Sequence, residues 1–131
     1  MSKPSVVFVC VANSFRSQLA EAAAKALAAE EWEIWSAGSH PGGRVHPQAA
    51  AAAAELGWDM SSHYSKGLPD LPQRTWDYVV TMGCGDACPT LPARHRLDWN
   101  IPDPAALTEG DVRKIRDDII ARVKALLQRR H

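Results

Sequence analysis

The apolar run Val6-Val7-Phe8-Val9-Cys10-Val11 passes through Ala12-Asn13-Ser14-Phe15-Arg16-Ser17 directly into the helix-prone Gln18-Leu19-Ala20-Glu21-Ala22-Ala23-Ala24. A strand, a short loop and a helix in immediate succession open an α/β unit. The chain must then bury that strand in a sheet and cover it with the helix. The same stretch carries a cysteine out of the strand and follows it, after five intervening residues, with Arg16-Ser17. Backbone N–H groups converge at a helix N-terminus and favour an anion, whether a bound oxyanion or a thiolate. The loop is therefore suited to hold an oxyanion against a sulfur nucleophile.

The rest of the chain repeats the alternation of short β-branched runs and longer helix-period runs that marks a mostly parallel sheet. Strands are predicted at Ser5 to Val11, Trp32 to Ser36, Tyr78 to Met82 and Arg94 to Trp99. The first helix is predicted from Arg16 to Glu30, with Leu19, Ala22, Ala23, Ala26 and Leu27 forming its buried face. A turn-rich loop, Ser39 to Val45, precedes a second helix from His46 or Pro47 to Leu56, with Gly57 as its C-cap. Met60 to Gly67 reads as irregular, and Leu68 to Arg74 as a short helix limited by Pro69 and Pro72. Thr108 caps a last helix, Glu109 to Arg129, whose buried face is Val112, Ile115, Ile119, Ile120, Val123, Leu126 and Leu127. At 131 residues, with no repeat and no linker, residues 1–131 make one α/β domain.

Lys plus Arg and Asp plus Glu both number 15, so there is no basic excess to support binding to nucleic acid or an anionic membrane. Anion specificity has to be local. No stretch is long enough for a signal h-region or a membrane span, which points to the cytoplasm. Three cysteines in a reducing compartment do not make a disulfide framework and read better as chemistry.

Cys10 alone fits a buried strand residue as well as a nucleophile. Its position favours the nucleophile, because ligands of open α/β sheets bind beyond the carboxyl ends of the strands. Arg16 can hold two oxygens of a tetrahedral anion, while Asn13 and the Ser17 hydroxyl set the loop geometry and stabilise the sulfur anion. Cys84 and Cys88 lie in a glycine-containing segment closed by Pro89, which argues against a stable helix. They read as a redox pair in a loop. Zinc is the lesser reading, since a structural site needs four ligands and only Cys10 and scattered histidines remain. Asp103, fixed between Pro102 and Pro104, is either a turn aspartate or a rigidly aimed proton donor. His40, His46, His63 and His95 share no metal-ligand spacing and read as surface or internally satisfied residues.

Taken together, Cys10-Val-Ala-Asn13-Ser-Phe-Arg16-Ser17-Gln-Leu-Ala-Glu21, Ser36-Ala-Gly38, Val79 to Cys84 with Cys88-Pro89, and Asp103-Pro104 resemble the thioredoxin-coupled arsenate reductases of the low-molecular-weight tyrosine phosphatase fold. The resemblance implies a four-stranded parallel sheet with helices on both faces. It also implies a three-thiol relay. Cys10 would attack arsenate held by the N–H groups of the loop Val11, Ala12, Asn13, Ser14, Phe15, Arg16 and Ser17 and by the Arg16 side chain, with Asp103 protonating the leaving hydroxyl. Cys84 would then attack Cys10 and release arsenite, and Cys88 would attack Cys84 to leave a disulfide for thioredoxin, the external reductant. No bound cofactor and no metal are expected, phosphate and sulfate would compete for the loop, and the chain would act as a monomer.

Two departures stand out. Phe15 occupies a position where many relatives carry a further cysteine. Some relatives bind potassium through Asn, Glu, Ser and Asp side chains; Asn13, Glu21 and Ser36 match, but Lys66 aligns with the Asp, so its ammonium would replace the cation by pairing with Glu21. Two other functions fit the anion loop: a low-molecular-weight tyrosine phosphatase using Cys10, Arg16 and Asp103, and a non-catalytic oxyanion-sensing module. The Cys84/Cys88 pair weighs against the phosphatase, which needs one cysteine.

Overall fold

The computed structural model describes residues 3–82, 91–101 and 108–128, so the predicted roles of Cys84, Cys88 and Asp103 fall outside the described residues. Four parallel strands, β1 (Ser5–Cys10), β2 (Glu33–Gly38), β3 (Trp76–Thr81) and β4 (Ala93–Asp98), form one sheet in the order β2-β1-β3-β4. Three helices accompany it: α1 (Arg16–Ala28), α2 (Pro47–Ala54) and α3 (Glu109–Leu127). Strand alternation sorts the core into two layers. Val6, Phe8, Cys10, Tyr78 and Val80 face the cluster that holds Leu19, Ala53, Ile119 and Val123 of the three α-helices. Val7, Val9, Ala37 and Val79 face a smaller cluster with Leu71 and Leu68. Helices thus stand on both faces unequally, for among the described residues the second face carries only the 3-10 turn Leu68–Asp70.

β1 is buried at every residue because it has a partner on each side and a covered layer above and below. That is why its sequence is a continuous apolar run. Its foot is pinned to β3: the Ser5 amide donates to Asp77 Oδ2 at 2.8 Å, and the Asp77 amide donates back to Ser5 Oγ at 3.0 Å. At the other end Cys10 lies opposite Gly38, and Met82 N–H donates to Val9 O at 2.8 Å. The chain just before Gly83-Cys84 is therefore tied to the strand that carries Cys10.

Several element ends differ from the sequence expectation. β1 ends at Cys10 because Val11 turns out to meet the β2–α2 loop, and β2 continues to Gly38 because its ladder with β1 runs on through Ala37 and Gly38. α1 stops at Ala28 rather than Glu30, and α2 at Ala54, with Glu55 as its C-cap and Gly57, at φ +79°, in the turn that follows. The predicted helix at 68–74 shrinks to three residues. Ala26 and Leu27 are exposed, Leu27 at 43 %, whereas Ala20, Ala24 and Glu21 are buried. The first turns of α1 are enclosed on nearly all sides by β1, β2, α2 and α3. Only its last turn has a free face. Alanine permits that close approach, and period alone does not show where a helix leaves the core.

α3 begins with a capping box, Asp111 N–H donating to Thr108 Oγ1 at 3.2 Å and Thr108 N–H to Asp111 Oδ2 at 3.4 Å. It is stapled to α2 by one carboxylate. Arg113 Nε reaches Glu55 Oε1 at 3.0 Å, and Arg116 Nη1 reaches the same oxygen at 2.7 Å and Ala52 O at 3.0 Å. Hydrogen bonds from the two guanidinium groups pull the Glu55 carboxyl down to about 2 from its usual 4.5. This staple sets the lie of α2, whose N-terminus touches the loop after β1.

Candidate active site

Residues 11–15 connect β1 to α1 at the carboxyl edge of the sheet, the edge at which α/β folds bind ligands. All six carbonyls from Cys10 to Phe15 point outward to donors. Ser39, His40, Gly42 and His46, on the loop between β2 and α2, donate their backbone N–H groups to Cys10 O (3.1 Å), Val11 O (2.8 Å), Ala12 O (2.9 Å) and Ser14 O (2.8 Å). Gln18 Nε2 donates to Asn13 O at 3.1 Å, Ser65 Oγ to Ala12 O at 2.9 Å, and Leu19 N to Phe15 O at 2.9 Å. With the oxygens engaged outside, the amide hydrogens face the other way. Those of Ala12, Ser14, Phe15, Arg16 and Ser17 have no acceptor among the described residues, and Asn13 N–H points at Cys10 Sγ, 3.3 Å away. Successive free N–H groups running into a helix N-terminus form an anion cradle.

Asn13 supplies the bend. It sits at φ +49°, the left-handed region that asparagine tolerates better than most residues. Gly38 supplies the space: a Cβ there would lie 2.5 Å from Val11 O and 2.9 Å from Asn13 N. Phe15 is buried and meets the His46 ring edge-on with centroids 5.5 Å apart. His46 Nδ1 also accepts from Gln48 N–H, capping α2. The Phe15 ring thus docks the loop onto the start of α2.

Cys10 Sγ lies under the cradle, 2 % exposed, with Ser17 Oγ at 2.9 Å. Ser17 Oγ in turn receives Asn13 Nδ2 at 2.8 Å. Arg16 is buried at the first position of α1, and its Nη1 donates to Ile101 O at 3.1 Å. That bond ties the guanidinium to the chain two residues before Asp103. The fold therefore brings the Asn13 N–H and the Ser17 hydroxyl to the Cys10 sulfur and sets Arg16 at the start of the helix that follows the loop. Trp99 packs its ring against Phe8 in the core, centroids 5.9 Å apart.

A thiol beneath an anion cradle, on a parallel sheet of this order, is matched by one family model, that of the low molecular weight phosphotyrosine protein phosphatases, over residues 5–130. The chain belongs to this family. Among the low molecular weight phosphatases it is 38 % identical over 123 residues to an arsenate reductase of Staphylococcus aureus, covering 91 % of this chain and 92 % of that protein. It is 36 % identical over 128 residues to arsenate reductase 2 of Staphylococcus saprophyticus, covering 95 % and 96 %. A solved arsenate reductase in its phosphate-binding state superimposes with a TM-score of 0.84 at 34 % identity, over 95 % of this chain and 96 % of that one. The thioredoxin-dependent arsenate reductase of Corynebacterium glutamicum matches with a TM-score of 0.80 at 36 % identity over 96 % of this chain, which spans 61 % of that longer one.

A polar cluster lies behind the cradle. Glu21 is almost fully buried and is met by Lys25 Nζ at 2.5 Å, Lys66 Nζ at 3.4 Å and the Ser36 hydroxyl. Burial pushes its pKa up, but the Lys25 and Ser36 hydrogen bonds and the charges of Lys66 and Lys25 outweigh it and hold the carboxyl below its usual range. Gly38, Gln18, Ser65 and the buried His63 were missed by spacing. Only the Gly in Ser36-Ala37-Gly38, at the close of a strand, carried a legible signal of close backbone approach. Among the described residues no group of three or more His, Cys, Asp or Glu is placed to hold a metal, and no helix is long and apolar enough to cross a membrane.

Proposed function

We propose that this protein is an arsenate reductase in which Cys10, Cys84 and Cys88 pass one disulfide outward to thioredoxin. The observation that carries this is the Cys10 sulfur beneath a loop whose carbonyls all turn away and whose N–H groups are left for an oxyanion. The cradle and the Arg16 fork bind arsenate, and the Cys10 sulfur attacks arsenic as Asp103 protonates the departing hydroxyl, which leaves as water. Cys84 attacks the Cys10 sulfur; the S–As bond breaks, its electron pair stays on arsenic, and As(V) leaves as arsenite, As(III). Cys88 then attacks Cys84 and frees Cys10. The Cys84–Cys88 disulfide takes two electrons from the thioredoxin dithiol, and the cycle balances. A relay of free thiols suits the reducing cytoplasm, where the chain works as a monomer with no bound cofactor.

Arsenite formation measured with thioredoxin, thioredoxin reductase and NADPH tests this reading, with p-nitrophenyl phosphate cleavage run beside it. NADPH consumption that depends on arsenate is the expected result. Ester cleavage alone would make the protein a phosphatase, and neither reaction would make it an oxyanion-binding module.

In this reading Lys66 stands in for the potassium ion of some relatives. Its Nζ lies 3.4 Å from Glu21 Oε1, 3.5 Å from Ser36 Oγ and 3.2 Å from Tyr64 O, so an ammonium sits among the oxygens that a cation would use. Asn13 Oδ1 is already spent on Lys66 N–H and Gln18 Nε2. These residues do not fit an added potassium ion. Replacing sodium chloride by potassium chloride is expected to leave the melting temperature and the KM for arsenate unchanged. Lys66→Met is expected to cost about 1–2 kcal/mol by urea unfolding, less than a fully orphaned buried carboxylate because Lys25 still faces Glu21. A potassium-dependent rise in the wild-type melting temperature would refute the substitution.

A further inference from the structure

Gln18 follows Ser17 in the first turn of α1 and is wholly buried. Its Nε2 lies 3.1 Å from Asn13 O, 2.9 Å from Asn13 Oδ1 and 2.9 Å from Tyr64 O, while its Oε1 lies 2.9 Å from His63 Nδ1. Side-chain amides can be turned over, so which atom donates has to be settled by a group that cannot turn. Lys66 N–H is such a group, and it points at Asn13 Oδ1 from 2.7 Å. The atom it meets must be oxygen. Asn13 Nδ2 is then the donor toward Ser17 Oγ at 2.8 Å. The Ser17 oxygen accepts that bond, which leaves its own hydrogen for its other neighbour, Cys10 Sγ at 2.9 Å.

The same logic runs backward from Asn13. Three oxygens surround one end of the Gln18 amide, so that end is the NH2 group and the other is the carbonyl. A carbonyl facing His63 Nδ1 requires a hydrogen on that nitrogen. Gln18 also holds both polar ends of Asn13, its carbonyl and its side-chain oxygen, and Asn13 is the one described residue other than glycine at positive φ.

We infer that Gln18 is a positioning residue for the Cys10 nucleophile: it fixes Asn13 in its left-handed bend and links His63 Nδ1–H to Ser17 O–H in a one-way chain of donors that ends on sulfur. The inference takes from the proposed function only that Cys10 is the nucleophile. Four hydrogen bonds, each with a forced direction, make Ser17 a donor to Cys10 rather than an acceptor from it. Donation favours the anionic sulfur, and reversal of the chain would favour the thiol. Glu21, Lys25, Lys66 and Asp59 are the charged groups around His63. Burial, with the charges of Lys25 and Lys66, holds the His63 pKa below its ordinary value against the pull of Glu21 and Asp59. The ring is then neutral near pH 7 and carries its single hydrogen on Nδ1.

Two measurements test this without arsenate. The first is the 15N–1H correlation spectrum of the wild-type His63 ring at pH 7, expected to show a protonated Nδ1 and a bare Nε2. The second is the rate of Cys10 alkylation by iodoacetamide at pH 7, followed by peptide mass in a Cys84→Ser/Cys88→Ser background. Gln18→Met, of similar length but without donor or acceptor, is expected to slow it about tenfold. Circular dichroism reports whether the variant retains its fold. An Nε2–H tautomer in the wild type, or an unchanged alkylation rate in a folded Gln18→Met, overturns the inference. If Gln18→Met does not fold, the wild-type tautomer decides alone. Failure of arsenate-dependent turnover would sink the reductase reading and leave both measurements standing.

Discussion

Cys88→Ser will release about one equivalent of arsenite per protein molecule and then stop, with steady-state NADPH consumption reduced at least about a hundredfold. The first turnover needs only two electrons, and the pair Cys10 and Cys84 holds two. What the variant lacks is an exit. Cys10 is 2 % exposed beneath its own loop, so a disulfide that includes its sulfur lies out of reach of a protein dithiol. In the proposed relay, Cys88 is the thiol that moves the bond away from the buried sulfur. Cys10→Ser, in contrast, is expected to form no arsenite at all. Rapid quench of arsenate mixed with reduced protein, followed by arsenite quantification, separates a burst from no reaction. Sustained turnover by Cys88→Ser would remove the third thiol from the cycle.

Gly38→Ala is the change to the scaffold expected to cost most. The added carbon would sit 2.5 Å from Val11 O, 2.9 Å from Asn13 N and 3.0 Å from Asn13 Cβ. The colliding atoms are mostly backbone, so no rotamer change relieves them. Either β2 retreats from β1, breaking the Cys10–Gly38 register, or the loop lifts from its donors at Ser39 and His40. We expect a stability loss of about 2–3 kcal/mol in urea unfolding. Displacing the cradle by even about 1 Å is expected to raise the KM for arsenate on the order of a hundredfold. Phosphate titration by calorimetry should show a matching loss of affinity. A Gly38→Ala protein with wild-type phosphate affinity would mean that the close packing at Gly38 does not shape the cradle.

Much of this was written locally in the chain. β1 and β3 read as continuous apolar runs, and both prove to be central strands. The strand-loop-helix unit that holds Cys10 and Arg16 was legible from a cysteine at a strand end with Arg-Ser after five intervening residues. What spacing does not report is which distant segment grips a loop. Ser65 and His63 sit in a stretch with neither helix nor strand, and they matter through single hydrogen bonds to residues more than forty positions away. Arg116 stands outside the apolar face that helical period assigns to α3. It is buried because Glu55 and Ala52 O on α2 supply its partners, a fact of packing that helical period cannot contain. Leu27 was misjudged for the opposite reason, since it lies in the last turn of α1 on a face that nothing among the described residues covers, 43 % exposed.

The outward-held carbonyls bear on how the site moves as well as on what it binds. Four of the six are anchored to main-chain amides of the β2–α2 loop, and Cys10 and Gly38, where the two loops begin, are paired residues of the central sheet. The cradle cannot fray on its own. Its opening is expected to belong to the same cooperative unit as β1 and β2, so native-state hydrogen exchange should give its amides free energies near that of global unfolding rather than those of a surface loop. An arriving oxyanion meets a mould whose ordering entropy was lost when the chain folded, so association orders little further backbone. Catalysis and folding stability are here properties of one foldon.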